Sequence, residues 1–195
     1  MDGGATSKKR KSSNSSISSS DSRFSIFRLT TFDLQLYIMT DPKSLTSVAA
    51  FHKTFKHPIL PKPAIPDEKR CKLRVALLAE ELKELEEAIA ARDLTEVADA
   101  LCDLQYVLSG AVLEFGLADK FTELFDEVQR SNMSKACKTE AEAIETVAHY
   151  EKKGVPCFYE EADGHYLVYR TEDRKTLKSV YYSPAGLKAI LDTQD

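Results

Sequence analysis

No two cysteines in this chain are spaced as CxxC, and none of Cys71, Cys102, Cys137 and Cys157 falls in register with His52, His57, His149 or His165 for a zinc site. A disulfide framework is equally out of keeping with four thiols in 195 residues. Reduced, partly buried thiols point to an intracellular setting. Long apolar runs are missing too: the stretch 24–39 is interrupted by Arg28 and Asp33, so no segment has the make-up of a membrane span. Positive charge is scarce where a nucleic-acid surface would need it. The net charge of −4 divides into +3 over residues 1–45 and −7 over the remainder, which excludes nucleic acid as the expected partner of the body.

What is present suits a modest globular enzyme, because 43% hydrophobic and 30% charged residues can bury a sizeable core in one domain. Residues 1–22 are Ser-rich, with Lys8, Lys9, Arg10 and Lys11 adjacent, and lack the apolar surface to fold. Residues 23–44 show no clear period, so the leader 1–44 is expected to be disordered or poorly ordered. The body is expected to be cytoplasmic, although a basic tetrad also suits nuclear import and an acid-poor, Ser-rich start suits an organellar transit peptide.

From Leu45 the pattern is helical. A short helix runs to the His57-Pro58 break, and Pro61, Pro63 and Pro66 make an extended connector. Asp67 caps a long acidic helix to Ala90, and Asp93 or Thr95 starts a second that ends near Gly116. Asp119 begins another, reaching Ser131. After a helix from Thr139 to Lys153, the Glu-Ala-Asp-Gly stretch before His165 predicts a β-hairpin. Val180 to Tyr182 could add a strand, and Ser183-Pro184 a cap for a terminal helix. The fold class is therefore mainly α, a helical bundle over 45–137 with a helix and small hairpin over 138–195. The hairpin aromatics Phe158, Tyr159, Tyr166 and Tyr169 suit either a packing face or base stacking, the former being favoured.

Two acidic clusters carry the chemistry: Glu80, Glu81 and Glu84, then Glu96, Asp99 and Asp103. Taking Glu81 as zero at about 100° per residue, Leu77, Leu78, Leu85 and Ala88 fall within roughly 60° of it, so Glu81 sits inside the apolar stripe. Glu84 lies at its margin. Glu96, Asp99 and Asp103 run along the edge of the apolar face of the next helix. Glu86 and Glu87, on the opposite side, are ordinary solvated residues.

The short link between the helices makes them antiparallel neighbours and sets Glu81 and Glu84 opposite Glu96 and Asp99. Two like charges about 4 Å apart repel by roughly 4 kcal/mol at an effective dielectric near 20, so four of them need protons, basic partners or a cation. Arg74, about two turns before Glu81, is the one basic residue at a matching position. Oxygen-only ligation without His or Cys favours Mg²⁺ or Mn²⁺, and magnesium keeps company with phosphate oxygens. The implied substrate is a di- or triphosphate.

The runs LAEELKELEEAI at 78–89 and LTEVADALCDLQYVLSG at 94–110 resemble the paired helical motif of the all-α nucleotide pyrophosphohydrolases, the superfamily of MazG-like enzymes, dimeric dUTPases and phosphoribosyl-ATP pyrophosphohydrolase. FHKTFKHPI at 51–59, FDEVQRSNMSK at 125–135 and the segment 164–187 are similar to a MazG-like, phosphoribosyl-ATP-pyrophosphohydrolase-like subgroup, so the likeness covers about three quarters of the chain. The resemblance implies that Glu81, Glu84, Glu96 and Asp99 are metal ligands. It further implies that Glu80 orients or deprotonates the attacking water, that Asp103 supports a ligand or second ion, and that Asn132 and Lys135 contact substrate. Asn132 suits a helix C-terminus and Lys135 a solvated one equally well.

The function implied is Mg²⁺-dependent cleavage of a nucleoside triphosphate to monophosphate and pyrophosphate by a homodimer or higher oligomer. A metal-dependent nucleotide-binding module and a phosphoribosyl-ATP pyrophosphohydrolase are the alternatives.

Overall fold

In the computed structural model, residues 41–193 are described, so the expectations for the Ser-rich leader and its basic tetrad lie outside the described residues. Six helices and one hairpin make up this part: α1 (Ser44–Phe55), α2 (Glu68–Ala91), α3 (Leu94–Glu114), α4 (Phe121–Met133), α5 (Glu140–Glu151), β1 (Cys157–Ala162), β2 (His165–Arg170) and α6 (Leu187–Asp192), with a 3₁₀ turn at Ala118–Lys120. The mainly helical bundle with a C-terminal hairpin is what the periodicity predicts. No single described helix is long and apolar enough to cross a membrane.

The α2–α3 pair is defined by its ends. The Asp67 carboxylate accepts from the Arg70 N–H and caps α2. Arg92 adopts the left-handed conformation (φ 58°) and its N–H returns to the carbonyls of Ala88 and Ile89, closing the helix. Asp93 then caps α3 by accepting from the N–H groups of Thr95 and Glu96. A link this short can only fold the second helix back along the first. Ala88 and Ala100, both buried, are small enough to let the helices approach near the turn.

α1 lies against α3 through Val48 and His52, and the buried His52 ring donates from Nδ1 to the Pro58 carbonyl (2.9 Å), which fixes the chain just past the helix. The connector that follows is tied to the end of α3, Leu60 N–H to the Leu113 carbonyl and Ala64 N–H to that of Phe115.

The C-terminal part has its own small core of Cys137, Ala143 and Val168, packed on by Val147, Tyr159 and Tyr166. β1 and β2 pair antiparallel through a two-residue turn in which Asp163 and Gly164 both have positive φ, the geometry that matches strand twist. The aromatics serve packing: Tyr159 stacks edge-on to Tyr166 over this core, and Arg174 sits over the Phe158 and Tyr169 rings.

Two expectations need correction. Residues 180–182 form no strand; they turn, with the Tyr182 N–H bonded to the Ser179 carbonyl and the Val180 N–H to the buried Thr146 hydroxyl. Ser183-Pro184 does not cap α6, which starts three residues later behind Gly186. The Gly186 N–H instead donates to Glu127, whose carboxyl is pushed down to about 2 by the Arg130 guanidinium and that N–H together. At its other end α6 is held by Lys120, whose ammonium donates to the Ile190 and Thr193 carbonyls.

Candidate active site

The α2–α3 hairpin places its acids as the helical wheel requires. Glu81 is half-buried, while Glu80, Glu84, Glu96, Asp99 and Asp103 are exposed along the groove. Burial pushes the Glu81 carboxyl above the usual carboxylate range, and the charges of Asp103, Glu84, Glu80 and Asp99 push it further. Residues from two helices, as many as 22 positions apart in sequence, therefore act on one carboxyl. Glu96 is not among the groups acting on Glu81.

None of the six acids forms an ion pair with a described residue. Their carboxylates are not gathered to one point either: among the described residues, no three His, Cys, Asp or Glu side chains are arranged to hold a metal ion. The donor set fits a hard divalent cation on chemical grounds, since it offers carboxylate oxygens alone and no lysine or arginine among the described residues neutralises them.

Asn132 and Lys135 lie elsewhere, at the end of α4. The Lys135 ammonium donates to the Asn132 side-chain oxygen (2.8 Å), and no hydrogen bond among the described residues links this pair to the acids. Their neighbours Arg130, Met133 and Ser134 line a cavity of about 530 Å³ that also reaches Lys138 and Tyr181.

Sequence reasoning missed the buried ionic centre beside the groove. Glu114, 1% exposed, accepts hydrogen bonds from both Arg70 and Arg74. Burial alone would push its carboxyl up, but the two guanidiniums hold it below the ordinary range. Arg74 is therefore committed to Glu114 and does not neutralise Glu81. The signal available in sequence was the position of Arg74 on the same stripe as Glu81, which demands a buried partner.

Residues 48–132 match the family model of phosphoribosyl-ATP pyrophosphohydrolase. The family that this model describes is part of the MazG-like all-α nucleotide pyrophosphohydrolase superfamily. The matched span takes in α2, α3, all six acids and Asn132, and stops before Lys135 and the hairpin. Pyrophosphohydrolases of this kind typically depend on a divalent metal. An uncharacterized protein of Acanthamoeba polyphaga mimivirus is 26% identical over an alignment that covers 75% of this chain and 94% of the viral protein. That likeness extends beyond the family segment, because the segment alone is shorter than the aligned share.

Proposed function

We propose that this protein is a Mg²⁺-dependent nucleotide pyrophosphohydrolase that cleaves a nucleoside triphosphate to its monophosphate and pyrophosphate, in housecleaning or in control of a nucleotide pool. The observation that carries this reading is the groove between α2 and α3, where Glu81 feels four neighbouring carboxylates and none of them has a described basic partner. Glu81, Glu84, Glu96 and Asp99 would hold the ion, Mg²⁺ or Mn²⁺, with Asp103 steadying a ligand or a second ion. Bound there, the ion supplies charge that offsets the polyphosphate and makes water easier to deprotonate.

Glu80 flanks that position without sharing the direction of Glu81, and takes the proton from the attacking water as the anhydride bond breaks. Lys135 brings a point charge to phosphate oxygens, exchanging its bond to Asn132 for the substrate, and Asn132 is then released to donate and accept at a ribose or base edge.

The active form is a homodimer or higher oligomer. Val75, Leu82 and Ile89 on α2 and Leu94, Leu101 and Leu108 on α3 are exposed at seven-residue intervals, a seam that the described residues leave without cover. Light scattering that finds only monomer at micromolar concentration would remove the dimer.

Pyrophosphate release from a panel of nucleoside triphosphates, with phosphoribosyl-ATP included, tests the activity. Release that requires Mg²⁺ or Mn²⁺ and stops in chelator is expected. Undiminished release in chelator, or none from any substrate, overturns the reading.

A further inference from the structure

The end of α4 and the loop after β2 are stitched together by short-range bonds. The Lys135 carbonyl accepts from the Ser179 N–H (3.0 Å), the Ser179 carbonyl accepts from the Tyr182 N–H (2.9 Å), and the Ser183 N–H donates to the Ser134 hydroxyl (3.0 Å). Ser131 and Ser179 are both 4% exposed, so the seam is closed to water. It brings Lys178 and Tyr182 of the C-terminal extension beside Ser131 and Lys135.

What meets there is a set of donors without an acceptor. The buried Ser131 hydroxyl donates to the Tyr182 phenol oxygen (3.0 Å), which leaves the phenol's own proton to be given away, and no described residue accepts it. Tyr181 shows the contrast, since its hydroxyl donates to the Glu145 carboxylate (2.9 Å). The Lys178 ammonium sits 4.2 Å from the centre of the Tyr182 ring, and Lys135 spends one donor on the Asn132 side-chain oxygen. Neither lysine forms an ion pair with a described residue, whereas the neighbouring Arg130 is held by Glu127. Both lysine charges reach the phenol: the Ser131 bond holds Tyr182 below the usual tyrosine range although burial works the other way, and Lys178 and Lys135 lower it further.

Packing explains the position of the ring but not that of the charges. Two ammoniums beside one phenol repel each other, and a body with an excess of acids has carboxylates it could have set between them. Ammonium, hydroxyl and amide donors aimed at one place instead suit an oxyanion with several oxygens, as a phosphoryl group has. A magnesium-bound triphosphate is still an anion, and Lys135 alone does not neutralise it.

We infer that Lys178 and Tyr182 join Lys135 and Asn132 in a phosphate-binding cluster that grips the polyphosphate chain of the substrate, Lys178 as a further point charge and Tyr182 as a hydrogen-bond donor to a phosphoryl oxygen. Both residues lie outside the 48–132 family segment. The inference rests on the pyrophosphohydrolase reading and deepens it, because it gives the C-terminal extension a part in holding the substrate.

Inorganic pyrophosphate titrated into the full chain in EDTA, followed by phosphorus NMR, reads the cluster without an ion in the acidic groove. The wild type is expected to bind it, Lys178→Gln and Tyr182→Phe to bind it roughly fivefold or more weakly, and Lys178→Arg to keep most of the affinity. With Mg²⁺ and a nucleoside triphosphate, the two weakened variants are expected to raise KM by a similar factor with kcat little changed, the mark of lost binding rather than lost chemistry. Lys178 is exposed, so Lys178→Gln carries the test if Tyr182→Phe, which strips Ser131 of its acceptor, unfolds. Lys175→Gln, at an exposed lysine of the same loop, is the control.

Pyrophosphate binding and KM unchanged in the folded variants overturn the assignment, as does a wild type that binds no pyrophosphate. An equal loss in Lys175→Gln reduces the effect to general surface charge and overturns it too. Weaker pyrophosphate binding with the nucleotide KM intact makes the cluster a site for a free anion and removes it from the substrate. A wild type that binds pyrophosphate through these residues yet hydrolyses no nucleotide sinks the pyrophosphohydrolase reading and leaves the phosphate site standing.

Discussion

Glu114 accepts a hydrogen bond from Nη2 of Arg74 across 40 residues of sequence, in a place where the carboxylate is closed to solvent and the arginine nearly so. Arg70 reaches the same carboxylate from one turn away. The pairing decides how the acidic groove is to be read, because it takes the nearest arginine away from Glu81 and leaves the groove's negative charge uncompensated among the described residues. It also pins the ends of α2 and α3 together at the side of the hairpin remote from the Arg92–Asp93 turn.

Removing the Glu114 charge should be among the most damaging single changes in the fold. Glu114→Gln leaves two guanidiniums, one of them almost fully buried, without a counter-charge, and the expected loss is about 3–5 kcal/mol. Urea unfolding followed by circular dichroism measures it. A loss below about 1 kcal/mol would show that the centre is well solvated and that Arg74 is free to act elsewhere.

Glu81→Gln should separate stability from activity. The Glu81 carboxylate is destabilised by burial and by four neighbours, so the neutral isostere is expected to raise the ion-free unfolding free energy slightly, by roughly the few tenths of a kcal/mol typical of relieved like-charge pairs. The rise in melting temperature that Mg²⁺ gives the wild type should vanish, and turnover with it. A variant still stabilised by Mg²⁺ and still active would contradict Glu81 as a ligand.

Glu80→Gln is expected to behave differently, preserving Mg²⁺ stabilisation while slowing hydrolysis by about 10²–10⁴-fold, the range for loss of a positioned base. Wild-type turnover in this variant would remove Glu80 from the mechanism.

Acidification should weaken the fold through His52. Burial and the nearby Arg74 charge hold this ring below the ordinary histidine value of 6.5, so the folded state refuses a proton that the unfolded chain accepts. The stability that neutral His52 contributes is complete above 6.5 and is lost as pH falls from there toward the lowered folded value. Unfolding free energies measured across that window should slope less in His52→Gln than in the wild type. Equal slopes would mean that His52 titrates alike in both states.

Much of the bundle was legible because its signals are local. Asp67 and Asp93 are caps that need only their own helix, and the 3.6-residue period of Leu77, Leu78, Leu85 and Ala88 places Glu81 on a burying face whatever it is buried against. The superfamily was legible for the same reason, since its acids recur within single helices. The start of α6 was not: a Ser-Pro pair is a sound cap in isolation, yet the Gly186 N–H finds Glu127, 59 residues earlier, and the helix begins there. Residues 180–182 likewise read as a strand until the Thr146 hydroxyl takes the Val180 N–H.

Sequence by itself determined that two acidic amphipathic helices fold back on one another and that carboxylates recur at helical spacing along each of them. Tertiary structure decided which charges are already satisfied. Whether an arginine answers Glu81 or Glu114 depends on the register of two helices and the packing of a third, and a hydrogen bond requires an approach within about 3 Å that no periodicity along a single chain can specify.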